Sequence, residues 1–159
     1  MFSKDDKKIP PKVLKVIDDL IESGFPLRSI PALLGNIDVE TGGSFDFEEV
    51  QGTFDTGPGY GLFQFDEQKP KYFEWLKKSG MKDSSKAQTM FAKNMIYGDS
   101  KNTVHDIGYG HKRKLRKSFL NDDVDTMTRE IMNRYLRPGV PHEQERIKAA
   151  RKYKGMLGY

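Results

Sequence analysis

The 159-residue chain contains no cysteine, which excludes a disulfide framework and any cysteine-ligated zinc site. No apolar run approaches the ~18 residues that a membrane-crossing helix needs. The first residues, Met1-Phe2-Ser3-Lys4-Asp5-Asp6-Lys7-Lys8, lack the apolar core of a secretory leader. Three histidines, His105, His111 and His142, do not share metal-ligand spacing, so no metal is expected. Also missing are a glycine-rich phosphate loop, a Ser-His-Asp pattern, an internal repeat and a low-complexity linker. No cofactor is implied. What is present is an ordinary globular composition, 36% hydrophobic and 31% charged, over a length that suits one domain spanning residues 1–159.

The stretch from Ser29 to Asp66 organises the chain. Ile30, Leu33, Leu34 and Ile37 follow the i, i+3, i+4, i+7 spacing of a helix with one buried stripe. Ser29 is the expected N-cap, Pro31 suits the first turn, and Gly42-Gly43 provides a left-handed stop. At about 100° per residue, Glu40 falls about 20° from Leu33, on the margin of the stripe, whereas Asp38 projects to the opposite side. A carboxyl there is partly desolvated and lies at the negative end of the helix dipole. Both effects favour its neutral form. A general acid working near neutral pH needs a glutamate pKa of roughly 6, about 2.7 kcal/mol of differential environment. Glu40 is therefore the candidate catalytic acid.

From Ser44 to Asp66 the helical period is lost. Phe45, Phe47, Val50, Phe54, Tyr60 and Phe63 alternate with Gly52, Gly57, Pro58, Gly59 and Gly61, as in an irregular hairpin lining a cleft. Asp46, Glu48, Glu49, Asp55 and Asp66 lie in the same stretch, and any of them is a candidate second carboxylate. Glu49 is the first choice, because its loop must fold back near the helix end. An inverting glycosidase needs two carboxyls about 6.5–9.5 Å apart and a retaining one about 5 Å. The phenylalanines suit a small core. Tyr60, with a polar tip on an aromatic face, suits a sugar ring, and the Gln64 amide suits a hydroxyl or N-acetyl group. Gln64 also fits a second role, tying its loop to the body of the domain.

The Glu40-Thr41-Gly42 helix end, followed about twenty residues later by Gly61-Leu62-Phe63-Gln64, resembles the lysozyme-like superfamily of goose-type lysozymes and lytic transglycosylases. Leu34-Gly35-Asn36-Ile37, Gly59-Tyr60-Gly61-Leu62-Phe63-Gln64 and Tyr135-Leu136-Arg137-Pro138-Gly139 are similar, more narrowly, to phage cell-wall hydrolases of the phage tail lysozyme type. The resemblance spans about Ile30 to Ala150. Thr41 stands where serine is usual and Phe65 where tryptophan is common. The resemblance implies a mainly α, α+β lysozyme-like fold with Glu40 as general acid, beside which Glu49 stands as the candidate catalytic helper. The resemblance points to Gln64 as well, and the candidate substrate site is drawn from Tyr60, Gly61, Leu62, Gln64 and Tyr109. The implied reaction is cleavage of the β-1,4 bond between N-acetylmuramic acid and N-acetylglucosamine in peptidoglycan. Three alternatives remain: a lytic transglycosylase, a catalytically silent virion protein, and a basic DNA-binding protein. The last leaves Glu40 and the Gly-Leu-Phe-Gln loop unexplained.

Elsewhere the chain reads as helical. Pro10–Ser23 carries a core-packing stripe. Further helices are expected from Asp66 or Glu67 to Gly80, from Ser84 or Ser85 to Gly98, over 111–120, from Asp122 past Tyr135, and from Pro141 to about Met156. Asp99–Gly110, containing Tyr109, is expected to be a loop. Residues 1–66 carry 6 basic and 12 acidic side chains, and residues 67–159 carry 21 and 11. The basic half, with its run His111-Lys112-Arg113-Lys114-Leu115-Arg116-Lys117, suits an anionic envelope surface. The expected partners are peptidoglycan strands and that surface, with no specific nucleic acid, and the protein is expected to be a monomer. Without a leader, it is expected in the host cytoplasm until released to the wall, as a free endolysin, or else attached to the virion.

Overall fold

The computed structural model describes residues 9–51, 59–98 and 107–158. Among them are seven α-helices: α1 (Pro11–Glu22), α2 (Ile30–Glu40), α3 (Lys69–Ser79), α4 (Ser85–Tyr97), α5 (Tyr109–Asn121), α6 (Val124–Ile131) and α7 (Glu143–Leu157). A two-stranded antiparallel hairpin, β1 (Val50–Gln51) with β2 (Gly59–Tyr60), pairs Val50 with Tyr60 and Gln51 with Gly59. The mainly helical fold with a small hairpin is as the sequence indicates. Phe54, Asp55, Gly57, Pro58 and His105 lie outside the described residues.

Helix α2 is the centre of the molecule. Every residue from Ile30 to Ile37 is buried, including Gly35 and Asn36, so the single buried stripe expected from the spacing is wrong. Its second side is covered by α7, the helix it packs against most extensively, and by α6. The contact with α7 passes through Gly35, where a Cβ would come within 2.6 Å of the Arg146 carbonyl oxygen and 2.7 Å of the Ala150 Cβ. Only glycine lets the two backbones approach this closely. Asn36 is tolerated inside because its amide is satisfied. Nδ2 donates to the carbonyls of Ala32 (2.9 Å) and Thr128 (3.2 Å).

The helix ends are set by ordinary caps, with exceptions. Ser84 accepts the Ala87 N–H at 3.0 Å to start α4, and Asp123 accepts the Thr126 N–H at 2.8 Å to start α6. Ser29 is not a cap. It closes a 3-10 turn, Leu27–Ser29, and its hydroxyl donates to the Pro26 carbonyl at 2.7 Å. Tyr109 and Gly110 belong to the first turn of α5 and not to the preceding loop. Helix α6 runs into a π-helical turn, Met132–Leu136, that ends at Arg137 in the left-handed region (φ 47°). The core joins side chains of all seven helices with Phe45, Leu62, Phe63 and Phe65 of the hairpin region. In the basic run, Lys112 is buried and its Nζ donates to the Gly98 carbonyl at 3.2 Å, so this lysine helps fix the start of α5.

Candidate active site

Glu40 is the last residue of α2, and its side chain is 12% exposed. Thr41 follows it and is buried. Its hydroxyl donates to the Ile37 carbonyl at 2.8 Å and accepts the Phe45 N–H at 3.1 Å, folding the chain back beneath the helix end. Threonine therefore serves at this turn as serine would. Asp38 does not project freely to the opposite side; Tyr153 donates to it at 2.6 Å from α7.

The partner of Glu40 comes from far along the chain. Arg146 of α7, 2% exposed, places Nη1 2.9 Å from Glu40 Oε1 and 3.2 Å from Asn36 Oδ1. Its Nε donates to the Pro141 carbonyl at 2.6 Å. Burial raises the Glu40 pKa above the ordinary carboxyl value. The opposing pulls of Arg146 and the nearby His142 do not cancel that effect. A carboxyl held more acidic-form than usual, yet hydrogen-bonded and fixed in direction, is suited to donating a proton. The charged groups that pull on Glu40 are Arg146 and His142.

A cleft of about 430 Å³ is lined by two segments of chain, Phe63, Gln64, Phe65, Asp66, Glu67 and Gln68 in one and Tyr135, Leu136 and Arg137 in the other, together with Ile107. Glu40 is not part of this lining. The connection runs through residues 135–141. Their first three line the cleft, and Pro141 at the end receives Arg146, the partner of Glu40. Two polar atoms of cleft-lining residues, Gln68 Oε1 and Tyr135 Oη, are buried without a hydrogen-bond partner. Such groups destabilise a folded protein by about 1–3 kcal/mol each and are retained where something else offsets them.

A sequence model of the family described as phage tail lysozyme matches residues 12–157. The chain belongs to the phage tail lysozyme family. No curated protein and no solved structure matches it. Membership carries with it a lysozyme-like, peptidoglycan-degrading function.

In this family member the Gly59–Gln64 segment is held by side chains that local patterning does not reveal. Gly61 sits at φ 81°, and a Cβ on it would fall 2.4 Å from Gln88 Oε1. Gln88, fully buried in α4, accepts the Leu62 N–H at 2.9 Å and donates to the Phe47 carbonyl at 2.8 Å and to Asp83 at 3.1 Å. Asp83 also accepts the hydroxyls of Tyr72, at 2.5 Å, and Tyr60. That carboxylate and burial push both phenols far above their usual pKa. The polar tip of Tyr60 is thus turned to Asp83, and its ring is tilted against Phe73 with Lys69 Nζ over it, 5.1 Å from the ring centre. Leu62 is fully buried and contributes through its backbone. Gln64, itself left-handed (φ 49°), donates from Nε2 to the carbonyls of Glu49 (3.0 Å) and Gly61 (2.8 Å). Its donors hold the loop while its side chain lines the cleft. Glu49 joins this network through its carbonyl, which also accepts the Gly61 N–H at 2.8 Å. Tyr109 is 72% exposed on the first turn of α5, two residues beyond the cleft-lining Ile107.

Proposed function

We propose that this chain is a single catalytic domain that cleaves the β-1,4 bond between N-acetylmuramic acid and N-acetylglucosamine, with Glu40 donating a proton to the leaving oxygen. The observation that carries the reading is the Glu40 carboxyl itself. It is nearly buried, its pKa is raised by that burial, and Arg146 aims it by a 2.9 Å hydrogen bond. The glycan strand occupies the cleft, where the exposed carboxylates of Asp66 and Glu67 accept from sugar hydroxyls. Glu49 serves as the helper carboxylate, with Gly61, Leu62 and Gln64 shaping the loop that borders the cleft and Tyr60 and Tyr109 on the substrate side. Exposed Arg113, Lys114 and Lys117 of α5 face the anionic envelope. The protein reaches the wall at host lysis or as part of the virion.

The test is digestion of purified peptidoglycan followed by mass spectrometry of the fragments. Reducing muramic ends are expected. Products with 1,6-anhydro ends would make it a transglycosylase, and no release a non-enzyme. Glu40→Gln is expected to fold normally and to lose at least about a hundredfold in rate, the low end of what a positioned acid contributes. Near-full activity in that variant would remove Glu40 from the mechanism.

A further inference from the structure

Arg137 lies at the rim of the cleft with its side chain exposed and, among the described residues, without a hydrogen-bond or ion-pair partner. Its neighbour Arg134 is different, being paired with Glu130 and placing Nη1 3.2 Å from His111 Nδ1. Burial and the nearby charges of Arg137, Arg134 and Lys114 hold the His111 imidazole below the usual range. Because Glu130 already balances Arg134, the uncompensated positive charge in the cleft lining is that of Arg137. The other lining segment has the opposite character, with exposed Asp66 and Glu67 between the amides of Gln64 and Gln68. It accepts hydrogen bonds from hydroxyls and repels anions.

The backbone adds a second observation. Arg137 adopts φ 47°, a conformation that glycine takes freely and a side chain takes only with strain. It is fixed there by its own N–H, which donates to the Met132 carbonyl at 2.8 Å and closes the π-helical turn. An arginine is thus maintained at a strained position on the cleft rim, with its guanidinium unengaged.

We propose that Arg137 binds a carboxylate on the peptide branch of the glycan, so that the cleft reads peptide-bearing strands in preference to bare sugar. A ligand with neutral hydroxyls in one part and carboxylates in another matches the two lining segments, and a guanidinium fork matches a carboxylate. The assignment rests on the peptidoglycan reading above.

The experiment is a cycle of enzyme and substrate changes. The wild type and Arg137→Gln are compared on soluble glycan-peptide fragments whose carboxyls are either native or converted to amides by carbodiimide coupling to ammonia. At an exposed rim, each change alone is expected to lower kcat/KM about three- to tenfold. The two together should lower it no further than either one. Losses that multiply, or a single change without effect, would overturn the assignment while leaving the hydrolase intact. Failure of the wild type to cleave either substrate would remove the peptidoglycan reading and this assignment with it. Arg137→Gly, which suits the left-handed backbone, is expected to show the same kinetic loss with an unchanged or higher Tm, so that the loss cannot be assigned to unfolding.

Discussion

Replacing Arg146 by glutamine separates the two influences on Glu40. In the wild type, burial pushes the carboxyl pKa up and the guanidinium pulls it back. At 2.9 Å, and with an effective dielectric constant near 20, two unit charges attract by about 6 kcal/mol. Reorganisation and residual solvent reduce this, and pairs of this kind shift a carboxyl by about 1–3 pH units. Removing the positive charge therefore raises the Glu40 pKa further. A general acid works in its protonated form, so activity falls as pH rises through that pKa. The alkaline limb of kcat/KM against pH should move upward in Arg146→Gln, by about 1–2 units. The assay is peptidoglycan cleavage across pH, at a temperature well below unfolding, since breaking a buried pair costs about 3–5 kcal/mol. An alkaline limb that stays in place, or moves down, would mean that Arg146 does not set the protonation of the acid.

Two further predictions concern the loop beside the cleft. Gly61→Ala meets both an unfavourable φ of 81° and the Gln88 amide at 2.4 Å, so it should lose about 2–4 kcal/mol of stability, read as a Tm drop of roughly 5–15 °C. A Tm within 2 °C of the wild type, by ~0.5 kcal/mol reasoning, would show that the loop is not clamped by Gln88. Gln64→Ala removes the two bonds from Nε2 to the Glu49 and Gly61 carbonyls and should lower stability by about 1–3 kcal/mol, with kcat/KM of the folded fraction little changed. A kinetic loss at unchanged Tm would place Gln64 on the substrate instead.

The sequence makes the local pieces of this site readable. The apolar spacing from Ile30 to Ile37 and the double glycine after it place Glu40 at a helix end, and the glycine-aromatic alternation marks the hairpin. Hidden from it were the groups that complete the site across long stretches of chain. Arg146 lies 106 residues from Glu40, in a segment where charged residues alternate in a way that looks solvated. Gln88 and Asp83 clasp the loop by side-chain bonds, for which no local spacing rule exists. Asn36 and Gly35 interrupt the apolar run of α2 and so suggest an exposed side, although Gly35 is the contact with α7 and Asn36 is fully hydrogen-bonded. Gly108 and Gly110 flank Tyr109 and suggest a loop, yet α5 begins between those glycines.

The separation of Glu40 from Arg146 also sets a timetable. At about 5–20 residues per second, a ribosome finishes Glu40 about 5–20 s before it reaches Arg146, given their 106-residue spacing. Throughout that interval α2 exists without the helix that covers it most extensively, and the acid has neither its guanidinium nor the segment that ends at Pro141. On the proposed reading of Glu40, the site is completed in a single late event, the docking of α7, and a nascent chain is expected to stay inert while it is being made. Hydrogen exchange on a chain stopped at residue 141 should find the α2 amides open, whereas the full chain protects them. Protection of α2 in the shorter chain would place assembly earlier.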